Sequence, residues 1–447
     1  MPEPTGHPAP PRVAPVGEVR PARGGLLRRH RDFRLLWCAE TAGRFGASVT
    51  GVSMPLVALS ELDAGTFEVG LLSGAVWFPW LLVGLPVGAW VDRLPRRPIM
   101  LLAAGASLVL FLSVPLAAWC GFLSLGLLVG VALLTGTAAV FFQTAYTAYL
   151  PSVLDPADQS EGNAKLHGSA SAAQIAGLGS GGLVAQAAGA VNGMLVNAAT
   201  FAVALLCLRG IRYREPAPSR PGGRGRSMAR EVVEGLRLVA RDRWLRTLTL
   251  FGACSNLALM GYQSLQVLFL VREVGAGSGT VGLLVAAAGA GGVVGALVGR
   301  RAARRFGSAR ATLLCELGLP VGALFIPLTF DGPGLLLFVL GGFSVSAGVV
   351  GGNVVKAGFQ QRYCPPRLLG RLTASTAFLN YGTIPLGALL GGTLGTVLGV
   401  RPALWIMTAG VPLSALILLF SPVRRVRDLP TAPEAGAPSA AEAAGPC

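Results

Sequence analysis

Apolar residues in this chain run together in blocks roughly one bilayer long, and polar residues collect in the gaps between them. A helix needs about 20 consecutive apolar residues to cross the roughly 30 Å hydrocarbon core. Twelve blocks reach that length, near residues 35–60, 67–91, 99–120, 123–150, 164–189, 191–210, 246–271, 278–299, 311–330, 334–355, 372–399 and 402–420. Helices this long and apolar on all sides have no water-soluble counterpart. The pattern predicts an all-α integral membrane protein with twelve transmembrane helices.

Composition narrows the class. Of 447 residues, 13% are charged and 52% apolar, about half the charge of a soluble domain. That excludes an ordinary cytosolic enzyme, and the hydrophobicity excludes a disordered chain. Seven Cys without a C-x-x-C pair and three His offer neither a disulfide framework nor a metal site, so no metal or cofactor is expected. The dominance of Arg over Lys reads as a GC-rich coding bias and suggests a bacterial source.

The formal net charge of +16 could suggest nucleic acid, but position argues otherwise. Basic residues fall before the first span, in the even-numbered connections and in the tail. The odd-numbered connections hold only Arg272 and Arg401, and Arg44 alone lies deep inside a span, away from its edges. The positive-inside rule then places both termini in the cytoplasm of a multi-pass cell-membrane protein, bacterial inner or plasma membrane. The basic face can touch anionic lipid; no nucleic-acid partner is expected.

The longest connection divides the spans six and six. Residues 1–33 form a Pro- and Arg-rich cytoplasmic tail without an apolar core of its own, so the first span is expected to direct insertion. Residues 34–210 and 244–420 are two six-helix bundles, and 421–447 is a low-complexity tail expected to be disordered. In the linker 211–243, Met228, Val232, Leu236 and Val239 recur at helical spacing behind Ser227, a plausible N-cap, which predicts an amphipathic helix on the inner membrane surface. The halves look alike. Span two ends Gly88-Ala-Trp-Val-Asp-Arg-Leu-Pro-Arg-Arg97, and span eight ends Gly295-Ala-Leu-Val-Gly-Arg-Arg-Ala-Ala-Arg-Arg305. Parallel repeats of six spans place a binding site between two rocking bundles.

At these residues the chain resembles the major facilitator superfamily over about 32–428. The loop after span two matches that family's G-x-x-x-D-R-x-x-R-R motif at Gly88, Asp92, Arg93, Arg96 and Arg97, with a degenerate copy at Gly295, Arg300, Arg304 and Arg305. FRLLW (33–37), MPLVAL (54–59), YLPSVLDPADQSEGNAKL (149–166) and LLGRLTAS (368–375) are similar to bacterial drug and siderophore exporters of the macrolide-efflux and enterobactin-exporter type. The resemblance implies the major facilitator fold. It also implies that Asp92 docks on the amino end of span eleven near Arg371, where the helix dipole favours a carboxylate, and so gates the inner side. Plain topogenesis is the other explanation of Arg96 and Arg97. Gly177, Gly181 and Gly182 resemble the antiporter motif G-P-x-x-G-G, expected to pack across the interface of the halves, although Leu178 replaces the Pro. Where proton-coupled relatives carry an Arg in span four, this chain has Ala132, so coupling by that residue is excluded.

Ionisable residues inside spans are functional by default. Glu40 and Arg44 stand one turn apart in span one. Burial favours the neutral acid and Arg44 the carboxylate, so Glu40 is either a proton carrier or half of a fixed structural pair. Glu316 in span nine is a further coupling candidate, expected to reach the Arg304, Arg305 and Arg310 cluster as a structural ion pair. Gln143, Tyr146, Asn256, Tyr262, Gln263, Gln266 and Asn353 are candidate cavity residues, suited to an amphipathic substrate of low charge. No G-x-x-x-x-G-K-S/T pattern occurs, so ATP does not drive the protein directly.

These features predict a secondary active transporter, working as a monomer, that exports hydrophobic small molecules such as antibiotics or secondary metabolites by proton-driven alternating access. The partners implied are a small-molecule substrate, protons and membrane lipids. A lipid or lysolipid translocator of the same fold is one alternative, and a non-transporting membrane sensor or scaffold another. An enzyme is not expected, because no catalytic cluster shares a face.

Overall fold

The computed structural model describes residues 25–431 apart from 92, 156–157, 214, 216–235, 238 and 365. Asp92, the start of the expected linker helix and the outermost parts of both tails lie outside the described residues. After a short turn at Leu26–Arg29, the helices are α1 (Arg31–Leu62), α2 (Thr66–Val91), α3 (Arg96–Trp119), α4 (Leu125–Val153), α5 (Gln159–Ala188) and α6 (Ala190–Gly210). The second half holds α7 (Arg243–Leu268), α8 (Ser278–Phe306), α9 (Ser308–Leu328), α10 (Leu335–Tyr363), α11 (Pro366–Leu398) and α12 (Val400–Leu419).

Eleven of these segments are long and apolar enough to cross a membrane. The one outside that set is α5, which spans 30 residues but carries many Gly, Ser, Ala and Gln. Its length suits a crossing, and its small polar surface suits helix contact better than lipid contact.

Local chemistry sets the helix ends. Ser124 Oγ accepts the Leu127 N–H at 3.3 Å to cap α4, and Asp242 accepts the Trp244 and Leu245 N–H groups at 2.9 Å to cap α7. Gly189 and Gly399, at φ 87° and 93°, make the tight turns α5–α6 and α11–α12. A side chain would be strained at that angle, and the same device recurs at the same place in each half. The α9 segment is irregular: α-helical to Leu313, a π turn over Leu314–Gly318, then 3₁₀ over Pro320–Leu328. Pro320 has no N–H to return to Glu316, so the ladder must adjust there.

Within each half, glycines bring the helices into backbone contact. A Cβ on Gly299 would lie 2.7 Å from the Gly351 carbonyl, and Gly291 and Gly295 meet α10 at Phe343 and Ala347 in the same way. The apolar core is divided unequally. At the end of the odd-numbered connections one continuous cluster includes Val52, Leu72 and Met194 from the first half with Leu265, Val281 and Met407 from the second. At the opposite end each half has its own cluster, around Phe33, Met100 and Tyr149 in one and Trp244, Phe359 and Leu418 in the other. Among the described residues, the two bundles therefore share one apolar core at one end and keep separate cores at the other.

Candidate functional site

The joined end is built from two helix pairs, α2 with α11 and α5 with α8. Gly182 faces Gly282 so closely that a Cβ on the former would stand 2.6 Å from the latter's Cα. Gly70 meets Gly392 in the same manner, at 2.8 Å. Toward mid-membrane, Tyr381 of α11 lies against Trp77 and Trp80 of α2, with ring centroids 6.0 and 5.4 Å apart. At the surface of this end, Arg272 Nη2 donates to Asp63 Oδ1 at 2.6 Å, linking the end of α1 to that of α7. The other basic residue here, Arg401, pairs with Glu273 at 3.1 Å.

The charged pair of α1 lies in the first half, facing α4 and α5. Arg44 Nε donates to Glu40 Oε1 at 2.7 Å and Nη2 to Gln143 Oε1 of α4 at 3.0 Å. Glu40 is buried behind Arg44, whose side chain is 48% exposed. The spacing of one helical turn places both on the same face, and Gln143 closes the triad from α4. With Tyr146 one turn further along α4, they line a cavity of about 280 Å³ floored by Leu150, Leu154 and Leu166 and edged by Asn163 and His167 of α5. A separate apolar groove of about 770 Å³ lies along α1, α5 and α6, lined by Trp37, Phe45, Ala172 and Val203. The seam between cavity and groove is held by the 3.0 Å bond from Thr41 Oγ1 to Ser169 Oγ.

The cavity residues of the second half are less convergent. Asn256 Nδ2 reaches the Asn380 carbonyl at 3.5 Å, Tyr262 is buried, Gln266 is half-buried, and Gln263 and Asn353 are exposed. One turn beyond Asn353, Lys356 places its ammonium 2.6 Å from Glu316 Oε1 and 4.9 Å from the centre of the Phe251 ring of α7. This corrects the expected partner of Glu316: it pairs with Lys356 of α10, whereas Arg304, Arg305 and Arg310 are exposed at the helix ends. Gly352, which faces the Glu316 carboxylate, makes the approach possible. The apolar run stops at Val355, but the helix does not: Lys356 lies two turns inside α10.

The motif residues divide by role. Gly88 sits half-buried in the last turns of α2, and Arg93 is exposed in the turn that follows. Arg96 Nη1 binds Glu215 Oε1 at 3.0 Å and the Ala148 carbonyl at 3.1 Å, while Glu215 Oε2 accepts the Arg96 N–H at 2.7 Å. Arg97 donates to the Leu208 and Arg209 carbonyls at 3.1 and 2.8 Å, complementing the carboxyl end of α6. Glu215 escaped sequence reasoning because it stands in a stretch that reads as linker. The helix on which Asp92 was expected to dock, α11, begins at Pro366, five residues before Arg371; Asp92 lies outside the described residues.

The glycine motif of α5 is likewise split. Gly182 lies across the interface, but Gly177 and Gly181 pack on Phe45 and Val49 of α1 in their own half, which corrects the expectation for those two. In the degenerate copy, Gly295 is a contact with α10, and Arg300, Arg304 and Arg305 are exposed. His30, Asp155 and Asp158 have ligand-type atoms within 4.8 Å of one another. There, however, Asp158 is engaged by His30 at 3.0 Å and Arg29 at 3.6 Å, an ion-pair network that ties the first turn to the α4–α5 connection.

Comparisons with known proteins agree on one architecture. The family model described as Major Facilitator Superfamily matches residues 36–381. The multidrug efflux pump Tap of Mycolicibacterium fortuitum is 27% identical over 407 residues, covering 89% of this chain and 97% of the relative. The protein of that name in Mycobacterium tuberculosis is 27% identical over 416 residues, 90% and 95% of the two chains. Among solved structures, a bacterial homologue of the iron transporter ferroportin in an inward-facing state superposes with a TM-score of 0.70 at 15% identity, over 89% of this chain and 99% of that one. The nucleoside transporter NupG does so with a TM-score of 0.74 at 10% identity, over 87% and 99%.

Proposed function

The chain belongs to the Major Facilitator Superfamily, and we propose that it exports hydrophobic small molecules across the cell membrane in exchange for protons. It is a membrane transporter and not an enzyme. The observation that carries the finer reading is the divided apolar core, single at one end and split at the other. Two bundles that share a core at one end and keep separate cores at the other can rock about their contact, which is what alternating access requires. With the basic, split end in the cytoplasm, the Glu40–Arg44–Gln143 cavity opens inward and the Gly182–Gly282 and Gly70–Gly392 contacts close the outer side. The identity to proteins named multidrug efflux pumps supports export and a broad choice of substrates.

Glu40 is the proposed proton carrier. A proton on it removes the charge that holds Arg44, so protonation changes the polar wall of the cavity. Gly182 and the motif residues around Arg96 and Arg97 are proposed to set the gate. The test is uptake of a lipophilic fluorescent dye into everted membrane vesicles energised by respiration. Accumulation should collapse on adding a protonophore; accumulation that survives it would refute the coupling.

The apolar groove beside α1, α5 and α6 favours a second reading, lipid translocation, because it offers acyl-chain contact next to the polar cavity. Uptake of a labelled phospholipid by spheroplasts, faster than dye export, would select it.

A further inference from the structure

One end of the C-terminal half carries a concentrated positive patch. The last turns of α8 present Arg300, Arg301, Arg304 and Arg305, all exposed, and the segment after α12 adds Arg424 and Arg425. That segment is a strap laid back on the bundle. Asp428 Oδ1 accepts the Ser308 N–H at 2.8 Å, the Ala309 N–H reaches the Arg427 carbonyl at 3.1 Å, and Leu429 and Val423 are buried. Gly307 touches the Arg427 backbone. Arg305 and Arg425 each stand two residues from this contact, so their Cα atoms are at most roughly 20 Å apart.

Among the described residues no carboxylate pairs with these arginines. Among the described residues the equivalent end of the N-terminal half carries Asp155 and also Asp32, Asp158, Glu161 and Glu215, the last four engaging backbone N–H groups or basic side chains there. The C-terminal half has, among the described residues, only Asp242 and Asp428 at that end, and both cap helix amino ends. None of the six arginines forms an ion pair among the described residues; Arg305 lies over the Phe306 ring. Acidic residues contribute little to membrane orientation, so topology alone does not require them to be missing. The same two elements expose apolar side chains: Leu297 and Phe306 on α8, Leu413 on α12 and Phe420 just beyond it.

We propose that this surface binds an anionic membrane phospholipid, with a two-phosphate headgroup bridging the end of α8 and the strap. Guanidinium groups bind phosphate oxygens in pairs, and the headgroup supplies the negative charge that the protein lacks. The acyl chains lie along the exposed leucines and phenylalanines. The inference is separate from what is transported, since the patch lies away from the Glu40 cavity and on the other bundle.

Native mass spectrometry of the purified full-length protein tests it, with cardiolipin, phosphatidylglycerol and phosphatidylcholine as probes. Cardiolipin should be retained most strongly and phosphatidylcholine least. Arg424→Gln with Arg425→Gln should weaken cardiolipin about 25-fold, taking about fivefold for each basic residue at a membrane surface. Arg304→Gln with Arg305→Gln, an independent pair on a different element, should do the same. The equal-charge control, Arg28→Gln with Arg31→Gln, should leave it within about twofold, since those side chains lie on the other half. Equal loss in the control, equal retention of phosphatidylcholine, or full displacement by millimolar pyrophosphate would each overturn the proposal, the last by marking a soluble-anion site.

Discussion

Lys356 and Glu316 form an ion pair at 2.6 Å inside the second bundle, with the carboxylate side chain 2% exposed and the ammonium 17% exposed. Removing one partner leaves the other charge buried and alone, a loss of about 3–5 kcal/mol, whereas replacing both with apolar or neutral groups of similar size is often neutral. Lys356→Met should therefore lower the thermal unfolding midpoint of the purified protein sharply. Lys356→Met with Glu316→Gln should recover most of it. A single variant as stable as wild type would exclude a closely coupled pair.

Gly182 and Gly177 lie five residues apart on α5, yet they predict different phenotypes. A methyl group on Gly182 strikes Gly282 of the other half, and one on Gly177 strikes Phe45 and Ser48 of its own half. Overpacking costs about 1–3 kcal/mol in either place. Gly182→Ala should push the joined ends apart, read as a longer distance between spin labels on α5 and α8. Gly177→Ala should leave that distance unchanged and lower thermal stability.

Glu40→Gln separates coupling from binding. With the carboxylate gone, dye uptake driven by a pH gradient should fall about 100-fold or more, the scale of a lost proton-transfer role. Exchange of labelled for unlabelled dye at equal pH on both sides should remain within about threefold, because only the proton-linked step is removed. Loss of both activities together would assign Glu40 to the frame of the cavity, holding Arg44.

Glu215→Gln tests the tie between the start of the linker and α3. The carboxylate binds both the Arg96 side chain and its backbone N–H and is 12% exposed. Charged hydrogen bonds of this kind contribute about 1.5–3 kcal/mol, so the substitution should lower stability by a fraction of that range and expose the linker to limited proteolysis.

Cys364, outside the spans at the end of α10, gives a pH-dependent readout. Burial pushes its thiol up from the ordinary value, and Asp242 adds to the shift. A raised value means less thiolate at neutral pH, so alkylation by a maleimide should be slower than at exposed Cys120 and should accelerate as pH rises. Mass spectrometry of a labelling time course at several pH values measures it.

Much of this architecture is legible in the sequence because bilayer thickness fixes the length of each apolar run, and the duplication is written in paired motifs. What was hidden follows from the same physics. Lys356 lies beyond the end of an apolar run, and composition says nothing about a helix continuing past it. Tyr381 meets Trp77 and Trp80 through the register of two helices some three hundred residues apart, which no local pattern records. Gly177 and Gly182 look like one motif in the sequence, but five residues turn a helix by about 500°, which places them on different faces. The charge pairing within α1 was visible because one turn is a fixed spacing; its third member, Gln143, was visible only as a polar residue in an apolar run.

The composition of α5 bears on how the chain is made. A segment with so much Ser, Gln and Gly gains little by leaving the insertion channel for lipid alone, so its entry depends on partners already in place. α1 is synthesised before it and offers Phe45 and Val49 as a docking surface, while α8, its contact in the other half, is made long after. The nascent first bundle must therefore hold α5 against α1 during translation, and a ribosome-stalled chain ending shortly after α5 but lacking α1 should leave that helix on the side where synthesis began.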